Sequence, residues 1–398
     1  EFTELAEYLE LRYAGNCDGV CVEAGVLMPF SVKPGEVGST CMDIAVPRQG
    51  RSYLKVYYHL RKETELVPVG TLLGFDEVPL GTEDCRNQTA VQLMEYARPE
   101  AEKMKVWETE TEVGCAGEKF SYILDKRTGL FSQLHYAGKA YLDRPMELNI
   151  WRAPTDNDMY LKKEWKWARY DHAYTRAYET VVCQTGESVI ISSAASMLAD
   201  TLQRMMDVQM TWRIDHSGGI CADFLVKRNM EFPVLPRFGI RLFLKKEFDD
   251  VLYYGMGPWE SYADKHRAAS HGMYRAKVMD LHEPYIRPQE NGSHMDCDYV
   301  LLSDGRFVFG ASSSHPFSFN GSIYTQEELE QKAHDYELEA SDSTVLCLDY
   351  AQNGIGSNSC GPELSEQYQF GSELFLFSVK LGCYEKMLDE KLLKNVNI

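Results

Sequence analysis

Apolar and polar positions alternate in short runs along most of the chain, as in half-buried β-strands. Tyr8-Leu9-Glu10-Leu11-Arg12-Tyr13 alternates and breaks at Gly15-Asn16. Val20-Cys21-Val22-Glu23-Ala24-Gly25 follows, Lys33-Pro34-Gly35-Glu36 reads as a turn, and Met42-Asp43-Ile44-Ala45-Val46 alternates again. Residues 53–60, rich in aromatic and β-branched side chains, are the strongest strand of the first hundred. Strands at this spacing, with polar turns between, predict a sandwich of immunoglobulin type over residues 1–95. Residues 96–105 are charged, carry Pro99 and read as a linker.

From 106 to 398 strands again predominate. Phe120-Ser121-Tyr122-Ile123-Leu124 runs into the turn Asp125-Lys126-Arg127-Thr128-Gly129, and further runs start near residues 130, 188, 206, 220 and 238. Helices are few. Thr325 with Glu328 has the pattern of a capping box, and Leu329, Ala333 and Tyr336 would share one face of the helix behind it. Met387, Leu388, Leu392 and Leu393 also have helical spacing. Strands and helices do not alternate over the roughly 250 residues of a TIM barrel. The fold class is therefore all-β.

Composition narrows the partners. Of 398 residues, 44% are hydrophobic and 25% charged, as in ordinary globular proteins. A net charge of -19 argues against nucleic acid and against anionic membrane surfaces. Cys17 and Cys21 stand four apart with no second pair to answer them, so no zinc site is expected. The eleven cysteines read instead as small buried apolar residues. No signal peptide or membrane-spanning run is visible. The opening Glu1-Phe2-Thr3 suggests a fragment of a longer protein.

Several groups carry possible chemistry, each with a bland alternative. Arg152 with Asp156, Asn157 and Asp158 either lines a sugar site or fixes an Asx-rich turn. Trp165, Trp167, Tyr170, Tyr174 and Tyr178 are either a stacking surface for a pyranose or core. Glu260 near Gly257-Pro258 is either a catalytic carboxylate or part of a loop tied by ion pairs. Asn87-Gln88-Thr89 is a glycosylation sequon. No histidine pair has metalloprotease spacing, and no metal site is expected.

Four polar segments punctuated by Gly and Pro follow one another in order. They are Trp151-Arg152-Ala153-Pro154-Thr155-Asp156-Asn157-Asp158, residues 254–264, Pro284-Tyr285-Ile286-Arg287-Pro288-Gln289-Glu290-Asn291-Gly292, and Gly354-Ile355-Gly356-Ser357-Asn358-Ser359-Cys360-Gly361-Pro362. Together they resemble the C-terminal part of the lacZ-type beta-galactosidases, glycoside hydrolase family two. The resemblance implies an immunoglobulin-like fourth domain over 1–95 and, over 106–398, a small-chain domain whose large supersandwich is similar to galactose mutarotases. It places both catalytic glutamates, and the magnesium and sodium of the parent, on a preceding TIM barrel. No catalytic residue, cofactor or metal is then expected on this chain. Asn358, Ser359 and Cys360 would wall the substrate pocket, with Cys360 where some relatives carry an aromatic residue. Arg152, Asp156, Asn157 and Asp158 would form a pocket-side loop, and residues 159–163 match a mobile loop beside it. The implied partners are a beta-galactoside, bound through the parent enzyme, a barrel-bearing domain or chain, and further copies in a homo-oligomer. The sequence leaves the compartment open between the bacterial cytoplasm and periplasm. Two other functions fit: a carbohydrate-binding small-chain subunit beside a separate catalytic chain, and a mutarotase-like epimerase using His334 and Glu290.

Overall fold

The computed structural model describes residues 4–27, 31–95, 104–186, 188–200, 204–356 and 359–385. The expected helix after Glu385 and residues 96–103 of the expected linker lie outside them. Met104 is buried, and Lys105 opens a strand.

Strands dominate throughout, so the chain is all-β. Residues 9–80 form one antiparallel sheet of four strands, in the order Val20–Leu27, Leu9–Cys17, Ser52–Leu60, Leu72–Leu80. The break expected at Gly15-Asn16 is a β-bulge inside the second of these. Residues 42–46, expected as a strand, have no regular structure. Asn87 caps the helix Gln88–Glu95 by accepting the Ala90 amide at 3.1 Å and is itself buried, which hides the sequon.

The second region is built on a twelve-stranded antiparallel sheet. Its path runs from Leu142–Asn149 through Arg237–Lys245, Ser343–Gln352, Phe307–Ser322, Leu374–Glu385, Ile220–Arg228, Met206–Asp215 and Ser188–Leu198 to Tyr174–Gln184. A branch of Asp250–Gly257, Ser270–Lys277 and Ser293–Ser303 leaves it at Phe307–Ser322. In Met206–Asp215 every second side chain is buried, whereas Arg237–Lys245 is buried almost end to end. A five-stranded sheet over residues 105–140 packs on this core. Trp212 is completely buried there. Its indole N–H donates to the Gly129 carbonyl at 2.8 Å, and its ring meets Phe131 and Phe224 edge-on at 4.9 and 5.3 Å.

The two regions meet through charge. Arg51 donates to Asp296 at 2.6 Å and to Asp298 at 2.9 Å. His271 lies between Glu77 and Asp296, 2.6 Å from each carboxylate, and stacks on Tyr53 with centroids 4.1 Å apart. Burial opposes ionisation of Asp296, but His271 and Arg51 outweigh it and hold that carboxyl down at about 2. At Asp298 burial prevails over Arg51 and pushes the carboxyl up to about 6.

Two local expectations change. Thr325 caps the helix Gln326–Gln331 through the Glu328 amide at 3.2 Å, but the Glu328 carboxylate accepts the Glu339 amide instead of reaching back. The helix ends at Gln331, so Ala333 and Tyr336 are not on it. The cysteines are not uniformly core: only Cys115, Cys297, Cys347 and Cys383 are buried. The other seven face solvent wholly or in part, because they fall in the first region, at strand positions turned outward or, for Cys360, in a loop.

Candidate functional site

Residues 151–158 leave the edge strand Leu142–Asn149 as an irregular loop closed by the short 3-10 turn Asp156–Asp158. Asp158 closes the loop on itself: Oδ2 accepts the Thr155 amide at 2.8 Å and its hydroxyl at 3.1 Å. Oδ1 accepts from Arg152 at 2.7 Å. Arg152 is fully buried, and its guanidinium also donates to the carbonyls of Asn353 and Gly354. Asn157 donates to the carbonyls of Ile355 and Gly356 at 2.8 and 2.5 Å. The loop near 152 is thus tied to a loop two hundred residues away.

Asp264 holds that second loop from the other side, accepting the Ile355 amide at 3.0 Å and the Gly356 amide at 2.6 Å. Glycine is required here. A Cβ on Gly354 would meet the Asp264 carboxyl carbon at 2.8 Å, and one on Gly356 would meet Oδ2 at 2.4 Å.

The segment 284–292 completes the cluster. Gln289 accepts the Asp156 amide at 3.0 Å, and the Glu290 amide donates to the Ala153 carbonyl at 2.9 Å. Glu290 is sealed from solvent and bound to Arg237 at 3.0 Å, and Arg237 also grips Asp349 with two of its nitrogens. Burial raises both carboxyls, and Arg237 offsets only part of that rise. Glu260 joins in through Lys265, the Tyr285 hydroxyl and the Gly292 amide at 2.9 Å. The Glu260 loop is therefore tied by ion pairs.

All four segments noted in the sequence thus converge. Within them the expected pocket-side residues divide. Arg152 and Asp158 are buried and paired with each other, with only the Arg152 Nε left unpartnered, Asn157 spends its amide on backbone, and the Asp156 side chain stands exposed. Of the expected pocket wall, Ser359 and Cys360 are exposed, and Asn358 lies outside the described residues. Arg237 and Asp349 were missed, and Asp264 was noted only as part of the segment 254–264, without a role. Asp349 left a trace as the single charge of the strand Ser343–Gln352, the mark of a buried pair, whereas Arg237 shares its strand with Arg241 and Lys245. The aromatic stretch also divides. Trp165 and Tyr170 are core, whereas Trp167, Tyr174 and Tyr178 are exposed. His334 pairs with Glu337 and stacks on Tyr336, so it shares no partner with Glu290. Among the described residues no group of three or more His, Cys, Asp or Glu is placed to hold a metal.

Comparisons with known proteins add identity to this geometry. Over 371 residues the chain is 41% identical to the beta-galactosidase of Actinobacillus pleuropneumoniae, covering 93% of this chain and 36% of that protein. The beta-galactosidase of Staphylococcus xylosus is 36% identical over 265 residues, covering 67% of this chain and 27% of its own length. The chain therefore spans about a third of these curated relatives. A galactose 1-epimerase from Lactobacillus acidophilus covers 72% of the chain at 8% identity with a TM-score of 0.40, too distant to bear on function. The family described as beta galactosidase small chain matches residues 116–381, and on that match together with these relatives the chain belongs to it.

Proposed function

We propose that this chain is the non-catalytic part of a beta-galactosidase that hydrolyses terminal beta-galactosides with retention. Residues 1–95 and 106–398 act as two modules. The loop cluster completes the rim of the sugar pocket, and the first sheet braces a TIM barrel that carries the acids. The convergence of the four segments carries this reading. Buried ion pairs hold them in one arrangement, which is what a rigid pocket edge needs. Asp156, Ser359 and Cys360 remain free at the surface to face a substrate.

Two further observations support it. A retaining glycosidase needs carboxyl groups about 5–5.5 Å apart across an open cleft. Glu290 and Asp349 converge on one guanidinium but are sealed and bound to it, so no sugar reaches them. The first sheet also leaves Val22, Val26, Leu72 and Val78 exposed on its two edge strands, apolar surface suited to a neighbouring domain. Magnesium and sodium belong to the barrel in this reading.

The test is a chromogenic beta-galactoside assayed with the purified chain, alone and mixed with a barrel-bearing chain. No turnover alone and activity on mixing are expected; substantial turnover by the chain alone would sink the proposal. A natural small-chain subunit is the second reading, favoured by the small chain in the family's description. Co-purification with a separate barrel-bearing chain distinguishes it. Polarimetry on fresh alpha-galactose tests the epimerase alternative, with no acceleration expected.

A further inference from the structure

The twelve-stranded sheet does not close on itself. Its two edge strands, Leu142–Asn149 and Tyr174–Gln184, approach each other but are not paired. A cavity of about 500 Å³ lies elsewhere, between the two regions, but its lining mixes two arginines with one carboxylate and selects no ligand class. The seam between the edge strands holds a cavity of about 440 Å³, within the ordinary size of a small-molecule site. It shares only Trp151 with the loop cluster.

One wall of this seam cavity is a charged clamp. Arg241, itself mostly buried, donates to Glu147 at 2.7 and 3.1 Å and to Glu327 at 2.8 and 3.1 Å. The two carboxylates are each about half exposed, so oxygen lone pairs remain for a ligand. The lining also carries aromatic surface. Tyr174 is 43% exposed, and Trp151 is buried in the wall with its indole N–H unpartnered. Asp171 Oδ1 on the same lining also lacks a partner. Both atoms are closed off from solvent, so a ligand in the cavity would meet the half-exposed Glu147 and Glu327 carboxylates and the Tyr174 ring rather than these two.

The charges choose the ligand class. Four carboxylates line the cavity against one guanidinium, which disfavours anions. A bound metal is not supported, since the described residues contain no cluster able to hold one. A neutral ring with hydroxyls on its edge and a C–H face fits what remains: planar carboxylates and a guanidinium for the hydroxyls, a tyrosine face for the ring. We propose that the seam cavity binds a neutral pyranose. This rests on the cavity and not on the proposed hydrolysis.

The test is titration of the purified chain with D-galactose, D-glucose and inorganic phosphate, read by ligand-observed NMR and by tryptophan fluorescence. Saturable binding of at least one sugar and none of phosphate is expected. Tyr174→Ala should weaken the sugar about fivefold to tenfold. Glu147→Gln should weaken it as well, with far-UV circular dichroism checking that the variant is folded. Absence of saturation, preference for phosphate, or sugar binding indifferent to both substitutions would each overturn the proposal. Because the readout is binding, its failure leaves the hydrolysis assay untouched.

Discussion

The two regions of the molecule are stabilised by different physics. The large sheet has a continuous apolar core around Trp212, Phe224 and Phe131, and whole strands such as Arg237–Lys245 disappear into it. The first sheet buries few side chains, leaves several valines and leucines in solvent, and is attached through Arg51, Glu77, His271 and Asp296. A core of that size is stable through area removed from water. A sheet held by ion pairs depends on its neighbours and on pH. The difference teaches that the first region, with little core of its own, is held largely by ion pairs to the second and leaves apolar side chains in solvent.

The largest expected effect lies in the core. Trp212→Ala should lower unfolding free energy by about 3–5 kcal/mol, measured by urea denaturation followed by far-UV circular dichroism. A loss below about 1 kcal/mol would mean that the core is not continuous as described.

Acid should separate the regions next. His294 is buried against Phe319 and Tyr253, and burial, opposed only weakly by its bond to the Met256 carbonyl, holds its imidazole down at about 4. The folded value lies below the unfolded one, so the stability from the neutral ring is whole above about pH 6.5 and is lost as pH falls toward 4. His271 has the opposite sign. Burial alone would lower it, but Asp296 and Glu77 outweigh burial and raise it. Its contribution is whole below about pH 6.5 and is lost as pH rises through the folded value. All six tryptophans lie at residue 107 or later, so their fluorescence reports the large region alone. Between pH 7 and 5 that region should lose about 2 kcal/mol through His294, a loss absent in His294→Phe. Protease resistance of the first region should hold over the same interval. Equal acid sensitivity of wild type and variant would remove His294 from the account.

The smallest effect is expected on the open sheet. Val26→Ser should change the stability of the isolated chain by no more than about 0.5 kcal/mol in thermal melts, because its side chain already stands in water. A larger loss would show that the first sheet is covered within the chain itself.

Much of the strand framework was legible. The runs beginning near residues 120, 130, 188, 206, 220 and 238 all became strands, because alternation or sustained apolarity is a local property. Residues 42–46 alternate equally well and have no strand. Alternation stabilises a strand only where a partner strand and a face to bury are both present. The site was legible as four segments and illegible as a network. Nothing near Arg152 shows that the Asn353 and Gly354 carbonyls accept its hydrogen bonds, and nothing near Glu290 shows that Arg237 neutralises it.

The sequence by itself determined the all-β class, the position of the polar loops and the family. These depend on residue type and order within short windows. The tertiary structure alone decided which charges are hidden, which loops meet, and that the large sheet leaves a seam at its edges. Those outcomes arise when residues as far as 247 positions apart are brought out of water together, and burial then sets which proton, partner or exposed edge each side chain keeps.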